Sequence, residues 1–229
     1  MSSLEMAYDN RFAGFLEHLV PLNGNTVATI FDAILNSYRH MGEARALLCS
    51  GAVLKNVDDS CIVCYEQWKR STNFDSLTST TLAPVEASLR AVAAIDLFMN
   101  DVSYDESRCN QSVTFRKGTP FYITVYSVHT SDDQQKFLAH IQRFMSNQFA
   151  LANEMVAYTI HKSLSTDAVT NTKLVPRLAV VQQWSSLEAA SKNATFWTET
   201  DEAAQGVCSV DYSGIYETIY IDQQDTWLF

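Results

Sequence analysis

Val27, Ile30, Phe31, Ile34, Leu35, Tyr38 and Met41 recur at steps of three and four residues, one apolar stripe that predicts an amphipathic helix ending at Gly42. On either side the pattern changes to short apolar runs broken by turn residues. Strands are expected over 11–20, 46–55 and 61–68, with turns at 21–25, where Asn25 is placed to cap the helix, and at 56–60. A second helix is expected from Pro84 to about 93, followed by a strand over 95–103. The same order then returns: strand 121–130, helix 132–153, strands 156–164 and 177–184, a helix from 186 to about 204, and a strand over 215–222. Phe137, Ile141, Phe144 and Met145 give the first of these later helices a buried face, and Leu187, Ala190, Ala194 and Trp197 the second. Ser131-x-x-Gln134 and Ser185-x-x-Glu188 fit capping boxes at their starts.

Each half therefore reads β-α-β-β-α-β, the split βαβ or ferredoxin-like unit. A short apolar strand closed by tryptophan occurs in both, as Cys61-Ile-Val-Cys-Tyr-Glu-Gln-Trp68 and Leu178-Ala-Val-Val-Gln-Gln-Trp184. Their equivalent positions predict a tandem duplication, with one unit over 1–110 and a second over 111–229. The polar run 101–120 is the expected linker. Two helices cover only one face of each sheet, so the bare faces are expected to stack on each other within the chain.

Composition narrows the function classes. At 47% apolar and 18% charged residues the chain can bury a sizeable core. A net charge of −10 works against phosphate backbones, so no nucleic-acid partner is expected. No apolar stretch approaches the roughly 20 residues of a membrane span, and the first residues have neither the basic start nor the apolar core of a signal peptide; a cytoplasmic protein without membrane contact is expected. Five irregularly spaced cysteines fit reduced thiols. Cys61 and Cys64 lie three apart in a strand, hence on opposite faces, and read as two small buried hydrophobes rather than a metal or redox pair. No metal cluster or phosphate-binding glycine loop stands out.

With these residues in view, the chain resembles the antibiotic biosynthesis monooxygenase domain family of the dimeric α+β barrel superfamily. The resemblance rests on Gly42 after a long helix, a strand over 46–55, the turn Val57-Asp-Asp59 and the strand end Tyr65-Glu-Gln-Trp68. The second copy fits with Ala157-Tyr-Thr-Ile-His-Lys162, a longer loop over 165–175, and Gln182-Gln-Trp-Ser-Ser-Leu-Glu188, where Gln182 replaces the glutamate. The resemblance implies an intramolecular dimeric α+β barrel. It also implies a cofactor-independent monooxygenase that oxidises a polycyclic phenol or anthrone to a quinone with molecular oxygen. Two alternatives stand beside it: a cyclase or isomerase of an aromatic polyketide in the same pocket, and a non-catalytic binding or assembly protein. A self-sufficient monomer is expected, with a homodimer as the alternative.

The resemblance places Trp68 and Trp184 beside the cleft, where an indole N–H is available to a bound oxygen; packing is the competing role. Glu66 shares a face with Trp68 and is a candidate base or a structural ion-pair partner. His18 and His129 occupy equivalent places late in the first strand of each half, as general bases or as exposed strand-end residues. Tyr122, Tyr126, Tyr158, Trp197 and Tyr65 are candidates to line the substrate pocket, and the second half is the richer in them. His161, next to Lys162, is expected to be exposed, and His40 and His140 on their helix surfaces to be solvated or helix-capping. A haem-degrading branch of the family uses a histidine on the second helix; Thr78 and Ala194 stand there instead, and haem is not expected.

Overall fold

The computed structural model describes residues 4–6, 12–69, 83–108, 113–163, 176–193 and 207–223. Among these residues ten strands and four α-helices follow in the order β1 (Leu4–Met6), β2 (Phe12–Pro21), α1 (Val27–His40), β3 (Leu48–Asn56), β4 (Ile62–Lys69), α2 (Ala83–Arg90), β5 (Ala93–Ser107), β6 (Val113–Phe115), β7 (Pro120–Val128), α3 (Ser131–Leu151), β8 (Met155–Ser163), β9 (Arg177–Trp184), α4 (Leu187–Asn193) and β10 (Cys208–Gln223). The result is an α+β fold with a large antiparallel sheet and few helices, consistent with ferredoxin-like architecture.

Eight strands close into one antiparallel barrel in the order β10-β3-β4-β2-β5-β8-β9-β7. Within it, the earlier strands lie as β5-β2-β4-β3 and the later ones as β10-β7-β9-β8, the same pattern twice. The two sets join edge to edge. The far half of β5 pairs with β8, from Asn100 opposite Ser163 to Ser107 opposite Ala157, and the far half of β10 pairs with β3, from Tyr216 opposite Asn56 to Gln223 opposite Ser50. Closure leaves no unpaired edge among these strands, which removes a template for aggregation.

The join to β8 explains why β5 runs past residue 103, and pairing with β7, from Cys208 opposite Val128 to Gly214 opposite Ile123, explains why β10 starts before residue 215. Glu106 and Ser107 carry no apolar alternation, yet they are strand because a partner from the other half satisfies their backbone. The polar run read as a linker is therefore largely strand, with β6 inside it. Val113 and Phe115 of β6 are fully buried with Leu16, Tyr65, Phe98, Phe121 and Tyr216 in the barrel interior.

Two further cores lie between helices and the outer sheet face. Ile30, Ile34 and Tyr38 of α1 pack on Phe15, Val53, Cys64 and Trp68, and Phe137, Ile141, Met145 and Phe149 of α3 pack on Tyr126, Tyr158, Val180 and Trp184. Each predicted cap sits one residue from its place. Thr26, not Asn25, caps α1 in a capping box with Thr29. Thr130, not Ser131, accepts the Asp133 N–H at 3.1 Å. Ser186, not Ser185, accepts the Ala189 N–H at 3.1 Å. The hydroxyl must precede the first helical residue by one position to reach a free N–H. Gln134 is instead buried, donating to Ser163 and to the Arg177 carbonyl.

Candidate functional site

Strand alternation sorts β4 into two faces. Cys61, Val63 and Tyr65 enter the barrel interior, while Ile62, Cys64 and Trp68 face the helices. Glu66 falls on the helix side with them, only 7% exposed. On β2, directly hydrogen-bonded to β4, Phe15 lies opposite Glu66 and Glu17 opposite Cys64. A cavity of about 300 Å³ opens between this face and α1, α2 and β5. Its walls are mainly apolar, from Phe15, Ile34, Met41, Leu89, Ile95 and Leu97, and its polar groups are Glu17, Glu66, Tyr38, Ser37, Cys64 and the Glu86–Arg90 pair.

Glu66 is held in place. The Trp68 Nε1–H donates to its Oε2 at 2.8 Å, and Phe15 meets the Trp68 ring edge-on with centroids 6.3 Å apart. The Tyr38 hydroxyl faces the same carboxyl and favours its ionised form, without the geometry of a formed hydrogen bond. Burial nonetheless pushes the Glu66 pKa above the usual carboxylate range, with Asp222 adding to the rise and Arg45 opposing it.

Glu17 is raised to about 8, by burial first and then by the like charges of Glu66 and Glu86, with Arg90 opposing. No side-chain hydrogen bond to it forms among the described residues. Two neighbouring carboxyls in an apolar cavity disfavour joint ionisation, so the pair retains a proton near neutrality. The Cys64 thiol between them is pushed well up by burial and by both glutamates, which makes it a poor nucleophile.

This arrangement bears on stability. The folded pKa of Glu17 lies above its unfolded value, so its contribution is complete below about pH 4.5 and is lost as pH rises through about 8. Glu17→Gln is expected to remove that loss. Water entering the cavity mouth screens part of the effect, and the gain of the variant over the parent chain should grow by about 2 kcal/mol between pH 5 and pH 8.5 in urea titrations. A gain independent of pH would contradict the assignment.

The later half carries the same face with different residues. Register pairs Tyr122 with Gln182, Thr124 with Val180 and Tyr158 with Gln182, where the earlier half pairs Phe15 with Glu66, Glu17 with Cys64 and Gly51 with Glu66. The acids are thus replaced by Thr124 and Gln182. The Trp184 Nε1–H still reaches Gln182, at 3.3 Å. Gly51 is the position that differs most in size. A Cβ there would sit 2.9 Å from the Tyr38 hydroxyl and 3.8 Å from Glu66 Cγ. Its counterpart Tyr158 is fully buried, and its hydroxyl donates to Glu106 at 2.8 Å beside Ser146 at 3.0 Å.

The other sequence candidates are distributed away from the cavity. Tyr65 lies in the barrel interior against Phe115 and His161, and Tyr126 packs edge-on against Phe137. The Tyr122 hydroxyl accepts from Ser213 at 2.6 Å. His18 stacks on Tyr212 with centroids 4.0 Å apart, and burial lowers its pKa. His129 is exposed at the end of β7, and Trp197 lies outside the described residues. His161 is not exposed as expected: alternation turns it inward, where Thr159 at 2.9 Å and Asn100 at 2.7 Å hold it, and burial lowers its pKa to about 3, leaving it neutral. Glu17 and Tyr38 escape the sequence reading, although an acid in the Ala13, Phe15, Leu19 face of β2 is a visible anomaly.

Among the described residues no helix is long and apolar enough to cross a membrane, and no group of His, Cys, Asp and Glu is arranged to hold a metal ion. No protein-family model and no curated protein matches the chain. Solved structures do. An anthrone oxidase-like protein aligns over 96% of both chains at 15% identity with a TM-score of 0.74. A proposed monooxygenase of Fusobacterium nucleatum subsp. nucleatum aligns over 93% of this chain and 94% of its own at 10% identity and a TM-score of 0.57. One from Lactobacillus acidophilus aligns over 93% and 96% at 10% identity and 0.51. At these identities the likeness is one of fold alone, an α+β barrel.

Proposed function

We propose that the chain is a tandem pair of ferredoxin-like units acting as one dimeric α+β barrel, and that the cavity under α1 is the site of a cofactor-independent monooxygenase. Its substrate would be a polycyclic phenol or anthrone, and its product a quinone. The observation that carries the reading is Glu66, a buried carboxyl aimed into an apolar cavity and fixed by the Trp68 N–H. A volume near 300 Å³ suits a two- or three-ring aromatic.

In this reading the Glu66 carboxylate takes the proton from the acidic C–H or O–H of the substrate. The resulting carbanion passes an electron to molecular oxygen, the two radicals combine to a peroxide, and loss of water leaves the quinone. One oxygen molecule is consumed per quinone, one atom entering the product and one leaving as water. The Trp68 N–H is engaged by Glu66, so Trp68 acts as a positioning residue for the base. Fold likeness to an anthrone oxidase-like protein supports the substrate class without establishing it.

The test is oxygen uptake by the metal-stripped chain with a panel of anthrones and naphthols, corrected for spontaneous oxidation. Saturable uptake with stoichiometric quinone is the expected result. Measurable binding with no uptake above background would overturn the oxygenase reading.

A further inference from the structure

The oxygenase reading uses one carboxyl, Glu66, and beside Glu86, which is paired with Arg90, the cavity holds another, Glu17. Glu17 and Glu66 sit on adjacent antiparallel strands as diagonal neighbours, because Glu17 is opposite Cys64 and Glu66 opposite Phe15. Diagonal positions are separated by about 7–8 Å at the backbone, enough for one six-membered ring to present opposite atoms to the two side chains. Their surroundings differ in kind. Glu66 receives the Trp68 N–H and faces the Tyr38 hydroxyl, both of which favour a negative charge. Glu17 faces Glu66 and Cys64 from β4, Tyr38 from α1, and Glu86 and Arg90 from α2. Among the described residues it accepts no side-chain hydrogen bond, so its surroundings favour the protonated form. The equivalent positions in the later half, Thr124 and Gln182, offer no acid and no base.

We propose that this cavity catalyses the oxygen-independent interconversion of an enolisable aromatic ketone and its enol, with Glu17 as the acid at the carbonyl oxygen and Glu66 as the base at carbon. The inference rests on the same site as the proposed oxygenase but not on its oxygen step. Glu66 removes the proton as the C–H bond breaks. The released pair forms the new carbon–carbon double bond, the carbonyl π pair moves to oxygen, and oxygen takes the Glu17 proton. Substrate and product are isomers. Reversal returns a proton to carbon, and exchange of the glutamates with water through the cavity mouth makes that proton a solvent one. The ligand class is accordingly a neutral two- or three-ring ketone with an acidic methylene, such as anthrone.

The experiment is deuterium exchange at the anthrone methylene in deuterated buffer without oxygen, followed by NMR with the full chain. Saturable exchange at least tenfold above the buffer rate is expected, with Glu66→Gln and Glu17→Gln each lowering it at least tenfold while leaving the circular dichroism unchanged. In the unaltered chain the catalysed rate is expected to fall as pH rises through about 8, where Glu17 ionises; this readout needs no folded variant. No exchange above background, or exchange indifferent both to Glu17→Gln and to that pH range, would overturn the proposal. Exchange without oxygen uptake in air sinks the oxygenase reading alone. Oxygen uptake that needs Glu66 but not Glu17, with no anaerobic exchange, sinks this proposal alone.

Discussion

Glu66→Gln is expected to lower kcat for quinone formation by about a hundredfold or more, the scale associated with losing a general base. The substitution keeps volume and shape, and the later half already carries glutamine at this position beside its own tryptophan, so the barrel should fold. KM should move little, because the apolar walls supply most of the binding. Trp68→Phe tests the same site by another route. It removes the 2.8 Å donor, leaves Glu66 buried, and raises its pKa further. The rising limb of the pH–rate profile should move to higher pH, a shift that a purely structural role for Trp68 would not produce. Full activity in Glu66→Gln would remove Glu66 from the mechanism.

Tyr158→Ala is expected to cost about 4 kcal/mol of stability, the range for deleting a fully buried aromatic side chain. The ring packs between Phe149 and Tyr104, and its hydroxyl is the closest donor to Glu106, so the loss combines a cavity with a weakened carboxylate network. The mirrored change, Gly51→Leu, acts on function. Its Cβ alone would press on the Tyr38 hydroxyl at 2.9 Å, and the rest of the side chain would enter the space between Tyr38 and Glu66. Binding of three-ring ligands should fall at least tenfold, and of two-ring ligands less. Urea titration and ligand titration read the two effects. A cost below about 1 kcal/mol for Tyr158→Ala would contradict the packing role assigned to Tyr158.

Local pattern carried much of this architecture. The stripe from Val27 to Met41 became α1, and the apolar strand ending at Trp68 became β4 with Cys61 and Cys64 on opposite faces, as alternation requires. What stayed hidden was non-local. The outer end of β5 is polar in sequence and becomes strand only because β8 pairs with it, and the first half of β10, ahead of the apolar run over 215–222, becomes strand by pairing with β7. His161 looked exposed beside a lysine, but its inward step and its Asn100 partner lie 61 positions apart in sequence. Half of the site had the same fate. Glu66 and Trp68 were legible as neighbours on one strand face, whereas Glu17 and Tyr38 reach them from β2 and α1, and only the fold brings the three elements together. Gly51 gave no sequence signal, since its meaning is the volume it leaves open.

The most direct measurement of the central claim is diffraction from crystals of the chain soaked with the quinone product to saturation. Quinone density between the Glu66 carboxyl and α1, with one quinone oxygen within hydrogen-bond reach of Glu17, is the predicted result. Density confined to the α3 face or the barrel interior, with the cavity beneath α1 unoccupied, would contradict it.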